Sequence, residues 1–183
     1  MPHGARVLDV GCSDGALLAS LRDQRGADVR GIEINPERVA AAVARGLPVV
    51  QGDADRDLAD FPSDSVDVVI LSEALQAMHK PSAVLREMLR IGATAIVAFP
   101  NFGYWRVRLA LLLGGRMPVT PGLPASWHET ENIHLCTVAD FRALARELGF
   151  PILREAHLAG ARPVPARQAN WRADHALFVL GRS

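Results

Sequence analysis

The 183-residue sequence has no net charge, a single lysine, two cysteines and no long apolar run. Lys+Arg and Asp+Glu stand at 20 each, which excludes the broad basic footprint of a nucleic-acid binder. Lys80 is the only lysine, so nearly every cation is arginine; with abundant alanine this reads as composition bias. Cys12 and Cys136 are too few for a disulfide framework, and a reducing compartment is the default. No charged-then-apolar leader opens the chain, and no apolar run nears the ~18 residues that span a bilayer. Leu109 to Leu113 is the longest candidate. The expectation is a soluble, cytoplasmic protein with no membrane partner, no nucleic acid and no metal site.

Short apolar runs alternate with helical patterns over the first two-thirds of the chain, which argues for βαβ units and a parallel sheet. Strands are predicted over 6–11, 29–34, 49–52, 66–71 and 95–99, with helices between them. Asn35 is placed to cap the second helix, Pro36 to open it and Gly46 to end it. From Pro100 the pattern breaks into an amphipathic helix over 104–113 and a proline-rich excursion, a helical and irregular insert at about 101–136. A helix over 137–148 follows, capped by Thr137 and ended by Gly149. Runs at 152–158 and 176–180 have no helix between them, so they form an antiparallel pair at one sheet edge. The expected architecture is one α/β, Rossmann-like domain over 1–183. Its mostly parallel seven-stranded sheet carries an antiparallel C-terminal strand, and helices cover both faces.

Asp9-Val10-Gly11-Cys12-Ser13-Asp14-Gly15 lies between the first strand and the first helix. Ligands of open α/β sheets bind at the carboxyl ends of strands. Glycines in this turn let the backbone approach a ligand, and the following helix start favours an anionic group. Glu33, near the end of strand two, can accept from both ribose hydroxyls, and Asp53 after Gly52 can accept from an adenine amino group. Three features at three successive strand ends describe an adenosyl pocket. The candidate binding set is Asp9, Gly11, Cys12, Ser13, Gly15 and Glu33, with Ile34, Gly52, Asp53, Ala54, Leu71 and Ser72 beside them. A nicotinamide dinucleotide is the competing ligand, since Gly11-x-Ser13-x-x-Ala16 approaches the dinucleotide fingerprint. Asp9, the Gly52-Asp53 pair and the two closing strands argue against it.

The D-V-G-C-S-D-G stretch resembles the first motif of class I S-adenosylmethionine-dependent methyltransferases, usually D-x-G-x-G-x-G, with Ser13 in place of the middle glycine. Longer blocks are similar to the MetW family of methionine biosynthesis. They include RGIEI (30–34), VVILSEALQA (68–77), FPNFGYWRVRLALLLGGRMPVT (99–120) and NIHLCT (132–137). The resemblance implies the class I methyltransferase fold, S-adenosylmethionine or S-adenosylhomocysteine as ligand, and a homoserine O-acyltransferase as protein partner. It assigns no methylation reaction, so a binding module that modulates the acyltransferase stands first and an active methyltransferase on a small acceptor second. The resemblance also implies a lead-in segment before the first strand; with Met1 to Ala5 there, a shortened lid is expected.

No residue is assigned to catalysis. Ser72, Glu73, Gln76, Asn101, His128 and His134 face the expected carboxyl edge, and each has a plain structural reading as a cap, turn former or loop contact. Cys12 reads as a small packing residue, since no histidine lies within a few positions to form its thiolate. The segment from Tyr104 to Arg116 carries Trp105, Val107 and four leucines, more apolar surface than one core-facing stripe requires, and is the candidate partner surface.

Overall fold

A computed structural model describes residues 2–120 and 123–182. The chain enters through β1 (Arg6–Val10), α1 (Ala16–Arg25), β2 (Asp28–Glu33), α2 (Pro36–Ala44) and β3 (Val49–Gln51). A short α3 (Ala54–Asp57) leads to β4 (Val66–Ser72), α4 (Pro81–Ile91) and β5 (Gly92–Pro100). Beyond α5 (Trp105–Gly114) and α6 (Val138–Glu147) come β6 (Ile152–Ala159), β7 (Arg162–Pro163), α7 (Ala169–Arg172) and β8 (His175–Gly181).

The sheet order is β3-β2-β1-β4-β5-β8-β6-β7. The first five strands are parallel to one another, and β8 runs antiparallel to both β5 and β6. This is the expected class with two refinements. The last strand sits between β5 and β6, inside the edge rather than on it. The sheet also has eight strands instead of seven, because the chain turns back at Gly160 (φ +58°) and lays Arg162–Pro163 beside Leu158 and Ala159.

Two cores sandwich the sheet. On one face Val7, Val29, Val68 and Ile70 pack with Leu18 of α1 and Ala42 of α2. On the other, Leu8, Leu71 and Val97 pack with Leu85 and Met88 of α4 and with a phenylalanine cluster. In that cluster the Phe141 ring lies 4.6 Å from Phe178 and 5.0 Å from Phe99. Local chemistry sets the helix starts. Asn35 Oδ1 accepts from the Glu37 and Arg38 amides with Pro36 in the first turn. Thr137 and Asp140 form a reciprocal capping box on α6.

Candidate functional site

The turn after β1 alternates left-handed residues: Gly11 (φ +71°), Ser13 (φ +52°) and Gly15 (φ +75°). A side chain at Gly15 is disfavoured by the left-handed φ, and a Cβ there would stand 2.4 Å from Leu47 Cδ1 and 3.2 Å from Ala42 Cβ. Ser13 occupies the place of the motif's middle glycine and adopts the conformation a glycine would favour. The turn is pinned to β2, since the Gly11 and Cys12 amides both donate to the Ile32 carbonyl at 2.8 and 3.2 Å. Cys12 is buried, and burial followed by the nearby Asp9 charge pushes its thiol up to about 12. A neutral thiol at that depth is a packing group, as expected from its neighbours in sequence.

Glu33 is 4% exposed, and its carboxylate bridges two backbones. Oε2 accepts from the Ser13 amide at 2.8 Å and Oε1 from the Asn35 amide at 2.9 Å. The sequence pattern assigns this acid to a ribose; in the fold it holds the turn. A carboxylate offers about four acceptor positions, so both oxygens keep capacity for further donors. Asp53 has a local role as well, since its Oδ1 accepts from the Asp55 amide at 3.0 Å and caps α3.

Gly11, Glu33, Ile34, Gly52, Asp53 and Ala54 line one cleft of about 140 Å³. Its opposite wall is Ala77, Met78 and His79, which sequence reasoning missed. Their position depends on Asp55, whose carboxylate accepts from the His79 and Lys80 amides at 2.8 Å each. No periodic pattern announces a contact 24 residues away. A second recess of about 170 Å³ shares Gly11 and adds Asp9, Cys12, Ser13 and Ser72. Two of the expected residues line neither: Gly15 packs against Leu47 and Ala42, and Leu71 is fully buried in the core.

Asp9 is 2% exposed and its Oδ1 has no hydrogen-bond partner. Burial, and then repulsion from Glu33, push its carboxyl up to about 7. A buried acid whose oxygen lacks a partner beside a glycine turn suits a cationic ligand group. Among the described residues no group of three or more His, Cys, Asp or Glu is arranged to hold a metal ion, and no helix is long and apolar enough to cross a membrane.

The remaining candidates separate. Asn101 is a structural hub rather than a site residue, with its carboxamide bonded to five backbone groups. His128 packs its ring on Trp127 in the insert, and the backbone amide of His134 donates to the Gln76 carbonyl. Glu73 sits in a left-handed turn (φ +58°) after β4. Burial raises its carboxyl, while His175 opposes the shift. His175, also missed, begins β8 opposite Pro100, with Nδ1 3.0 Å from Asp174 Oδ1. On α5 only Val107 is buried, whereas Leu112 and Leu113 are 80% and 76% exposed. Arg108 is tied to its own domain: Nε donates to the Gly103 carbonyl at 2.6 Å, and the guanidinium lies over Trp171.

The family model for methionine biosynthesis protein MetW matches residues 1–180. The bifunctional methionine biosynthesis protein MetXA/MetW of Rhodopirellula baltica is 36% identical over 194 residues, covering 100% of this chain and 31% of that protein. The ubiquinone biosynthesis O-methyltransferase of Xanthomonas oryzae pv. oryzae is 40% identical over 93 residues, 48% of this chain and 38% of the relative. The chain thus spans about a third of the length of these curated relatives. Among solved structures, the S-adenosylmethionine-dependent methyltransferase of Mesorhizobium loti superposes with a TM-score of 0.71 at 20% identity. That likeness covers 98% of this chain and 92% of the other, and the shared architecture is the class I methyltransferase fold.

Proposed function

Since the chain belongs to the MetW family, we propose that it binds S-adenosylmethionine or S-adenosylhomocysteine and acts with, or modulates, a homoserine O-acyltransferase of methionine biosynthesis. It does so as a cytoplasmic, single-domain protein with the insert at about 101–136. The observation that carries the ligand reading is the convergence of Gly11, Glu33 and Asp53, from three successive strand ends, on one cleft. Each contributes differently. Glu33 keeps acceptor capacity for ribose hydroxyls, Asp53 lines the cleft as the acceptor we assign to an adenine amino group, and exposed Ile34 is the apolar wall we assign to the purine. The Asp9 Oδ1 without a partner suits the ammonium of the methionine moiety.

Calorimetry with both ligands tests this directly. Glu33→Ala is expected to weaken binding by about 2 kcal/mol, roughly thirtyfold, because two charge-assisted bonds are lost. Glu33→Gln, which keeps one carbonyl acceptor, should fall between the two. Equal affinity of wild type and Glu33→Ala would place the ribose elsewhere.

The partnership rests on the relative whose name joins MetXA and MetW in one polypeptide. Leu112 and Leu113 on α5 are the proposed contact, as an exposed apolar ridge of this kind marks interaction sites. A mixture with the acyltransferase should elute as a complex on sizing. Separate elution both with and without S-adenosylhomocysteine removes the partner role. A second reading, methyl transfer to a small acceptor, is favoured by the Asp174–His175 pair at the carboxyl edge, an oriented imidazole able to take a proton.

A further inference from the structure

Outside the nucleoside cleft, a cavity of about 280 Å³ opens between the turn Leu75–Ala77, the start of α4 and the face of α6. Its wall is mostly apolar: Leu75, Pro81, Leu135, Phe141 and Leu144. That volume falls just short of the roughly 300 Å³ at which drug-sized pockets begin, and so suits a smaller molecule. The buried polar groups on this wall have partners, with one exception; the exposed His134 side chain also lines it. Asp140 is used in capping α6, where Oδ2 accepts from the Thr137 amide and hydroxyl. The Cys136 thiol donates to the Thr137 carbonyl at 3.4 Å.

The exception is Gln76. This residue is 5% exposed, and its Nε2 donates to the Glu73 carbonyl at 2.7 Å. That bond fixes which end of the carboxamide is nitrogen, and it leaves Oε1 buried without any donor. Buried carbonyl oxygens are nearly always paired, so an orphan in a cavity wall calls for a ligand or an ordered water. The turn is tied to the segment beside it, because the Gln76 main-chain carbonyl accepts from both the Ile133 and His134 amides at 2.9 Å.

We propose that this cavity is a second small-molecule site. It takes an uncharged, mostly apolar molecule with one hydrogen-bond donor, of which a phenol is the simplest form. The apolar wall provides the burial, and the donor satisfies Gln76 Oε1. The site is separate from the nucleoside cleft but adjoins it: Leu75 and Gln76 line the one, Ala77 to His79 the other.

Phenol and toluene, titrated into isotopically labelled protein and followed by NMR, test the assignment. Phenol should give saturable shifts at the Gln76 side-chain amide and the Leu144 methyls. Toluene, lacking the donor, should bind at least about tenfold more weakly, since a site with a buried acceptor rejects an analogue that cannot satisfy it. Gln76→Leu should abolish that preference, and Leu144→Trp should exclude both molecules while the protein still melts cooperatively. The melt of each variant shows that it is folded; if Gln76→Leu does not fold, the wild-type preference and Leu144→Trp decide. Equal affinity for phenol and toluene, no saturable shift, or shifts confined to the exposed ridge of α5 overturns the proposal. An S-adenosylhomocysteine isotherm recorded alongside reports on the nucleoside cleft independently.

Discussion

Replacing Asn101 by alanine is expected to lower the unfolding free energy by about 4 kcal/mol, because it leaves several buried backbone groups without partners. Asn101 is 2% exposed at the end of β5. Its Oδ1 accepts from the Gly103 amide at 2.9 Å and the Val138 amide at 3.2 Å. Its Nδ2 donates to the Ala173 carbonyl at 2.8 Å, with the Ala169 and Asn170 carbonyls at 3.3 and 3.4 Å. One carboxamide therefore ties the entry of the insert to the first turn of α6 and to α7. The surroundings cannot close over its loss, since a Cβ on neighbouring Gly103 would already stand 2.7 Å from the Asn170 carbonyl. Urea unfolding of the folded variant measures the effect. Asn101→Asp, which retains the acceptors and loses the donors, should lie between wild type and alanine. A loss below about 1 kcal/mol would mean that water replaces the missing bonds at no cost.

Asn101 also marks the boundary of what the sequence makes legible. Its turn-forming role follows from its place after Pro100, and the Gly103 contact bears that out. The other contacts reach residues 37 to 72 positions away, which no local pattern encodes. The same division holds elsewhere. Strand runs, the Asn35-Pro36 helix start and the Thr137 capping box are written in neighbouring residues, and the structure has all of them. The two-residue β7 exists only because it pairs with β6, so its composition reads as loop. In the site, the acids at strand ends are legible because the strand fixes their direction. The Ala77–His79 wall is not, because Asp55 positions it through backbone amides that any sequence would offer. The Asp174–His175 pair likewise depends on β8 inserting beside β5 rather than at the edge. Glu33 is legible as an acid but not in its second role, since the bond to the Ser13 amide arises from how the turn folds back on β2.

Substituting Asp9 by asparagine should stabilise the protein at pH 8 by up to about 4 kcal/mol and, in the same stroke, weaken its hold on an adenosyl ligand. Burial, with Glu33 nearby, raises the Asp9 carboxyl to about 7 in the native state, whereas an unfolded chain releases this proton near pH ~4. Between those values the native protein holds the extra proton, so its stability falls as pH rises through the window. Above pH 7 the charge is present in both states and its burial cost is complete. Asparagine is neutral throughout. The variant should therefore match wild type near pH 4 and exceed it progressively up to pH 8 in urea titrations at fixed temperature. A constant gap across that range, or none at pH 8, contradicts the assignment of the slope to Asp9. The ligand side runs in the opposite direction. A cationic ammonium beside the orphan Oδ1 favours the ionised carboxylate, so wild-type affinity for S-adenosylhomocysteine should rise from pH 6 to 8. The asparagine variant should bind more weakly and show no such rise. The two outcomes together, stability gained and ligand affinity lost in one substitution, are the trade-off between stability and function expected of a binding-site acid.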